Sequence, residues 1–88
     1  MIKLSGDQLK KYAGEYILED GRKILITYAE NGLIEGRFSP KNIFPYKDNN
    51  FFVEGSFEEF EFLSNEMNEI TGIILRNRKE VNTGKKIK

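Results

Sequence analysis

Cysteine, histidine and tryptophan are absent from this 88-residue chain, and proline occurs only twice. Without cysteine there is no disulfide framework and no thiolate metal site. Without histidine, neither a Ser-His-Asp nor a Cys-His arrangement can be assembled. A Ser-Lys pair would need a serine hydroxyl close to a lysine amine of lowered pKa. Ser5, Ser39, Ser56 and Ser64 instead fall at positions that suit caps and turns. The expectation is a protein without catalytic residues, metal or cofactor. No apolar run approaches the ~18 residues of a membrane-spanning helix. Met1-Ile-Lys-Leu-Ser-Gly lacks the apolar core of a signal peptide. Net charge is missing too: 14 basic and 14 acidic residues cancel, so no global field draws the chain to nucleic acid or an anionic membrane.

Seven Phe and four Tyr suit strands more than helices. A chain this short forms one domain, 1–88, and buries only roughly 60–65% of its unfolded surface. Its core is therefore thin, and each large apolar residue counts. Leu4-Ser5-Gly6-Asp7-Gln8-Leu9 carries the signals of a helix start. Ser5 can cap the free N–H groups, Gln8 can complete a capping box, and Leu4 and Leu9 can form a staple. Gly14 suits the left-handed position after a helix of about two turns. So short a helix must pack on other structure, through Leu9 and Tyr12.

From Glu15 onward the pattern is a meander. Tyr16 to Glu19 and Arg22 to Ala29 flank Asp20-Gly21, a dipeptide able to form a type I′ turn. Ile24, Ile26 and Tyr28 share one strand face, Leu25 and Thr27 the other. Asn31-Gly32 is the strongest hairpin signal, leading into Leu33 to Ser39. Pro45 cannot donate to a ladder, which makes Asn42 to Tyr46 an edge or end-of-strand segment. Asp48-Asn49-Asn50 and Gly55-Ser56 are turn clusters around a strand over Phe51 to Glu54. Phe60 and Phe62 alternate with Glu59 and Glu61, one face in the core and one in water. Ile70 to Arg76 is a further strand, and Lys79 to Lys88 can supply the last. Turn signals every 8–12 residues predict an all-β fold with one short N-terminal helix. The expected architecture is an antiparallel meander of seven or eight strands closing into a barrel.

The ordered set Leu9-x-x-Tyr12-x-Gly14-x-Tyr16, Ile24-x-Ile26, Asn31-Gly32-Leu33, Ile43-Phe44-Pro45, Phe51-Phe52-Val53, Phe60-Glu61-Phe62 and Ile70-Thr71-Gly72-Ile73 covers nearly the whole chain. It resembles the small lipocalin-like domain that often follows serine β-lactamase-like or penicillin-binding-protein-like hydrolase domains in bacteria. The resemblance implies a barrel-like meander without catalytic residues, the chemistry belonging to the neighbouring hydrolase. No Ser-x-x-Lys occurs in this chain. By that likeness the expected role is a non-catalytic accessory or interaction domain packing on a hydrolase domain or another protein, in a periplasmic or secreted setting. The alternative is a small carrier with an apolar ligand inside the barrel.

Three clusters have a chemical reading beside an ordinary one. Glu54, Glu58, Glu59, Glu61, Glu66 and Glu69 could form a cation site or a glycosidase carboxylate pair. Their alternation with core phenylalanines instead indicates a solvated sheet face. Arg76, Arg78, Lys79, Lys85, Lys86 and Lys88, against Glu80 alone, could track a nucleic-acid strand. Cross-strand ion pairing with the acidic strand is the simpler expectation, and no nucleic-acid partner is expected. Finally, a barrel of this size holds a small ligand or is filled by side chains. Phe52, Phe60, Phe62, Tyr16 and Tyr28 are large enough to fill it. If a pocket forms, Tyr16, Tyr28, Arg37 and Phe52 are its candidate ligand-binding residues, because buried polar groups need partners.

Overall fold

A computed structural model describes residues 4–29, 32–36, 41–47 and 49–88. Its first element is α1, Gly6–Lys10, opened by the predicted capping box. Gln8 N donates to Ser5 Oγ at 3.2 Å, and Ser5 N donates to Gln8 Oε1 at 2.8 Å. Two otherwise unpaired donors are thereby satisfied. Leu9 is buried, and Leu4 packs against the same apolar cluster.

Eight antiparallel strands follow: β1 (Gly14–Leu18), β2 (Lys23–Ala29), β3 (Gly32–Glu35), β4 (Lys41–Lys47), β5 (Asn50–Val53), β6 (Glu59–Ser64), β7 (Ile70–Arg76) and β8 (Val81–Lys86). Each pairs with the next, and β8 pairs with β1, so the sheet closes into a barrel. Closure pairs every strand on both sides, removing the exposed edges that invite aggregation. Alternation places Tyr16, Leu18, Ile24, Ile26, Leu33, Ile43, Phe51, Val53, Phe60, Phe62, Ile73 and Leu75 inside. Glu59, Glu61 and Ile74 face outward between them, as the period of two requires. Leu9 and Tyr12 carry α1 across the end of the barrel where β1 begins. There the Tyr12 ring meets Phe51 at 5.0 Å and Phe62 at 4.7 Å between centroids.

Several local expectations change in the folded chain. Asp20-Gly21 does not form a type I′ turn, because positive φ belongs to Gly21 (93°) and not to Asp20. Gly21 N donates to Leu18 O and Leu18 N to Arg22 O. The loop thus holds three residues, a type I turn closed by a left-handed glycine. The register pairs Gly32 with Ala29, so Gly32 belongs to β3. Residues 30–31, including Asn31 of the predicted hairpin signal, lie outside the described residues, as do Arg37, Ser39, Pro40 and Asp48. Gly14 does not end the helix but opens β1 opposite Ile26. A Cβ there would collide with the Lys88 carbonyl oxygen. Pro45 lies inside β4 rather than at an edge, opposite Phe51. The register shifts immediately after it, between Pro45 and Lys47. A bulge is where a strand can tolerate a residue without an N–H.

At the other end of the barrel Glu35, the last residue of β3, is half-buried. Loss of water around it, and then the nearby Glu58 carboxylate, raise its pKa, while Lys41 opposes the shift. Such a carboxyl binds its proton more tightly folded than unfolded. Its effect on stability is therefore most favourable below the ordinary glutamate pKa and is lost as pH rises through the raised one. Glu35→Gln is expected to raise the melting temperature at neutral pH and to flatten the decline between mildly acidic and neutral pH. Thermal melts across that range check it; parallel wild-type and variant curves would contradict the assignment.

Candidate functional site

Of the four predicted ligand-binding residues, the three that are described, Tyr16, Tyr28 and Phe52, do not come together in the folded chain. Tyr16 is fully buried inside the barrel, 5.6 Å from Phe62 between ring centroids. Its hydroxyl donates to the Tyr12 carbonyl at 2.6 Å. Burial, and secondarily Tyr12, push the Tyr16 phenol above its usual pKa, so it stays a neutral donor that fixes the helix-to-strand junction. Tyr28 is half-buried at the helix end, packed against the core. The Lys10 ammonium lies 5.4 Å above its ring. Arg37 lies outside the described residues. Phe52, expected to help fill the interior, projects from the outer surface, because β5 turns Phe51 and Val53 inward.

Phe52 belongs instead to an aromatic patch on the outer wall. Phe44 is its direct cross-strand partner, with ring centroids 5.4 Å apart. Tyr46, two residues along β4 on the same face, lies 6.3 Å away. The row continues around the barrel through directly paired residues, from Phe52 to Glu59, Arg76 and Val81. Polar groups in this region are tied to one another. Tyr46 Oη donates to Glu59 Oε2 at 3.1 Å, and Arg76 Nη2 donates to Glu61 Oε1 at 2.5 Å. The second contact is the predicted pairing of acidic and basic strands. Being half-exposed, it contributes at most roughly 0–1 kcal/mol.

Above this row the β5–β6 and β7–β8 turns meet. Phe57 is 69% exposed and Val81 68% exposed, and the Arg78 guanidinium lies 3.7 Å from the Phe57 ring centroid. Stacking keeps Arg78 extended beside the aromatic face without neutralising it. A shallow hollow lies here, lined by Phe57, Glu59, Arg76, Asn77 and Arg78. The neighbouring β1–β2 and β7–β8 turns are pinned by Arg22, whose Nε and Nη2 donate to Asp20 and Glu80, each at 2.7 Å. The result is a rim that presents large apolar side chains to solvent together with Arg78, which makes no ion pair among the described residues.

The acidic block does not converge. Glu59 and Glu61 are engaged on the barrel wall, whereas Glu66 and Glu69 belong to the β6–β7 turn at the opposite end. Among the described residues, no group of acidic side chains is placed to hold a metal ion. The outer patch escaped sequence reading because Phe51-Phe52-Val53 has no polar residue to show which side faces water. One signal was present: Phe44 and Tyr46 flank Pro45 at the same-face spacing of a strand. No family model, curated protein or solved structure matches this chain.

Proposed function

We propose that this barrel is a non-catalytic interaction domain, of the kind attached to serine β-lactamase-like hydrolases, and that it binds a partner protein through the Phe57–Arg78–Val81 rim. The observation carrying this reading is the pair of large, exposed apolar residues beside an arginine that makes no ion pair among the described residues, adjoining the Phe44–Tyr46–Phe52 patch. Exposed aromatic and arginine side chains on a rigid frame are the usual anchors of protein interfaces. The closed ladder supplies the frame. A carrier role has less support, since Tyr16, Phe51, Phe60 and Phe62 are fully buried and occupy the interior where a ligand would lie.

A photo-crosslinking amino acid placed at Phe57, in cells producing the protein, tests the proposal. A discrete crosslinked species is expected at position 57 and not at Leu25 on the opposite wall. Arg78→Glu should abolish it while changing stability by no more than about 0.5 kcal/mol, as for other surface changes. Equal yields at both positions, or an unaffected product in Arg78→Glu, would remove the rim as the contact site.

A further inference from the structure

At the helix end of the barrel, α1 and the β4–β5 and β6–β7 turns enclose a hollow of about 240 Å³. It is lined by Leu4, Gln8, Lys11, Tyr12, Asn49 and Asn68. We infer that this hollow is a binding site for a small carboxylate-bearing molecule, held by the amide groups of Gln8, Asn49 and Asn68 and the Lys11 ammonium.

The chemistry of its wall is biased toward donors. Gln8 Oε1 is already occupied, accepting from Ser5 N at 2.8 Å, which leaves the Gln8 NH₂ group. Asn49 Oδ1 is likewise occupied, accepting from the Tyr12 hydroxyl at 2.6 Å, which leaves its NH₂ group. Because a backbone N–H can only donate, the Ser5 contact fixes which way the Gln8 amide is turned. Asn68 makes no side-chain hydrogen bond among the described residues. Lys11 adds three further donors and the only formal charge among the lining residues. Its ammonium lies 5.2 Å from the Tyr12 ring centroid. Two of the three side-chain amide oxygens on the wall are engaged, whereas all three NH₂ groups and the Lys11 ammonium remain, a bias toward donors that suits an acceptor-only carboxylate. Leu4 and the Tyr12 ring provide apolar wall for the attached carbon.

The backbone points the same way. Asn49 (φ 59°) and Asn68 (φ 63°) are the only non-glycine residues with positive φ among the described residues. At the opposite end of the barrel the corresponding positive-φ turn positions are glycines, Gly21 and Gly55. Glycine adopts that conformation at lower steric cost. Both exceptions place an amide side chain on the wall of this one hollow.

The test is titration of ¹⁵N-labelled protein with N-acetylglycine, followed through the side-chain NH₂ signals of Gln8, Asn49 and Asn68. Saturable shifts of these signals are expected with N-acetylglycine and not with the neutral N-acetylglycinamide. Lys11→Met should weaken binding about tenfold, the loss of one charge-assisted hydrogen bond. Asn68→Gly keeps the turn conformation and removes one amide, so it should weaken binding without lowering the melting temperature. Absence of saturable shifts, equal shifts with the neutral amide, or undiminished binding in Asn68→Gly would each overturn the inference. The Phe57 rim plays no part in these measurements, so its fate as a partner surface is decided separately.

Discussion

Replacing Phe62 by alanine is expected to destabilise the domain by about 3–5 kcal/mol. Phe62 is 1% exposed and sits where strand core and helix meet. Its ring lies 4.7 Å from Tyr12, 5.3 Å from Phe51 and 5.6 Å from Tyr16 between centroids. Truncation would remove a whole aromatic ring from water-excluded contact and leave a cavity. That cavity could shrink only if α1 shifted inward. Inward movement is opposed by Tyr12, whose hydroxyl is held by Asn49 and whose carbonyl accepts from Tyr16. The loss is comparable with the whole stability of a domain this small, typically ~0.05–0.15 kcal/mol per residue. Urea unfolding followed by tyrosine fluorescence measures it. A stability lowered by less than about 1 kcal/mol would mean that the helix end collapses freely onto the gap.

Gly84→Ala is expected to damage the barrel by another route. Gly84 lies in β8 between Ile73 of β7 and Leu18 of β1, at the seam that closes the barrel. A Cβ on Gly84 would lie 2.5 Å from the Ile17 carbonyl oxygen and 2.9 Å from Leu18 Cδ2. The nearer obstacle is backbone, which cannot move aside by changing rotamer. Relief therefore requires β1 and β8 to part. Overpacking typically costs about 1–3 kcal/mol, and a clash with paired backbone belongs at the upper end. The local signature would be faster amide exchange at Ile17 and Lys85, which face each other across the seam. Gly21→Ala provides the contrast, since a Cβ there meets nothing within 4 Å and costs only its left-handed φ. If the two variants melted alike with the seam still protected, close approach would not be the reason for glycine at position 84.

These two variants also mark what was legible in advance. Phe62 could be assigned to the core from its alternation with Glu59 and Glu61, because a strand's side chains repeat every second residue. Ser5 and Gln8 announced the start of the helix through spacing alone, since capping is satisfied within four residues. Gly84 carried no such signal. Its importance arises from Ile17, far away in sequence, and exists only once the last strand lies beside the first. Phe52 failed for a related reason: three apolar residues in succession can present either face to the core, and only pairing with Phe44 and Glu59 decides which. Asp20-Gly21 was correctly a turn, but its type depended on where the flanking ladder closed. The hollow under α1 was invisible in sequence because its lining comes from three separated segments.

By itself the sequence determined the helix start, the order of most strands, the shared face of Ile24 and Ile26, the inward turn of Phe60 and Phe62, and the exclusion of histidine- and cysteine-based catalysis. Those are consequences of local hydrogen bonding, of a period of two, and of side-chain chemistry. Tertiary structure alone decided the closure between β1 and β8, the outward turn of Phe52, the stacking of Arg78 on Phe57 and the gathering of Gln8, Lys11, Asn49 and Asn68. Each of these depends on which strand becomes whose neighbour. That choice is made by the collective fit of the core and the closing register, not by residues adjacent in the chain.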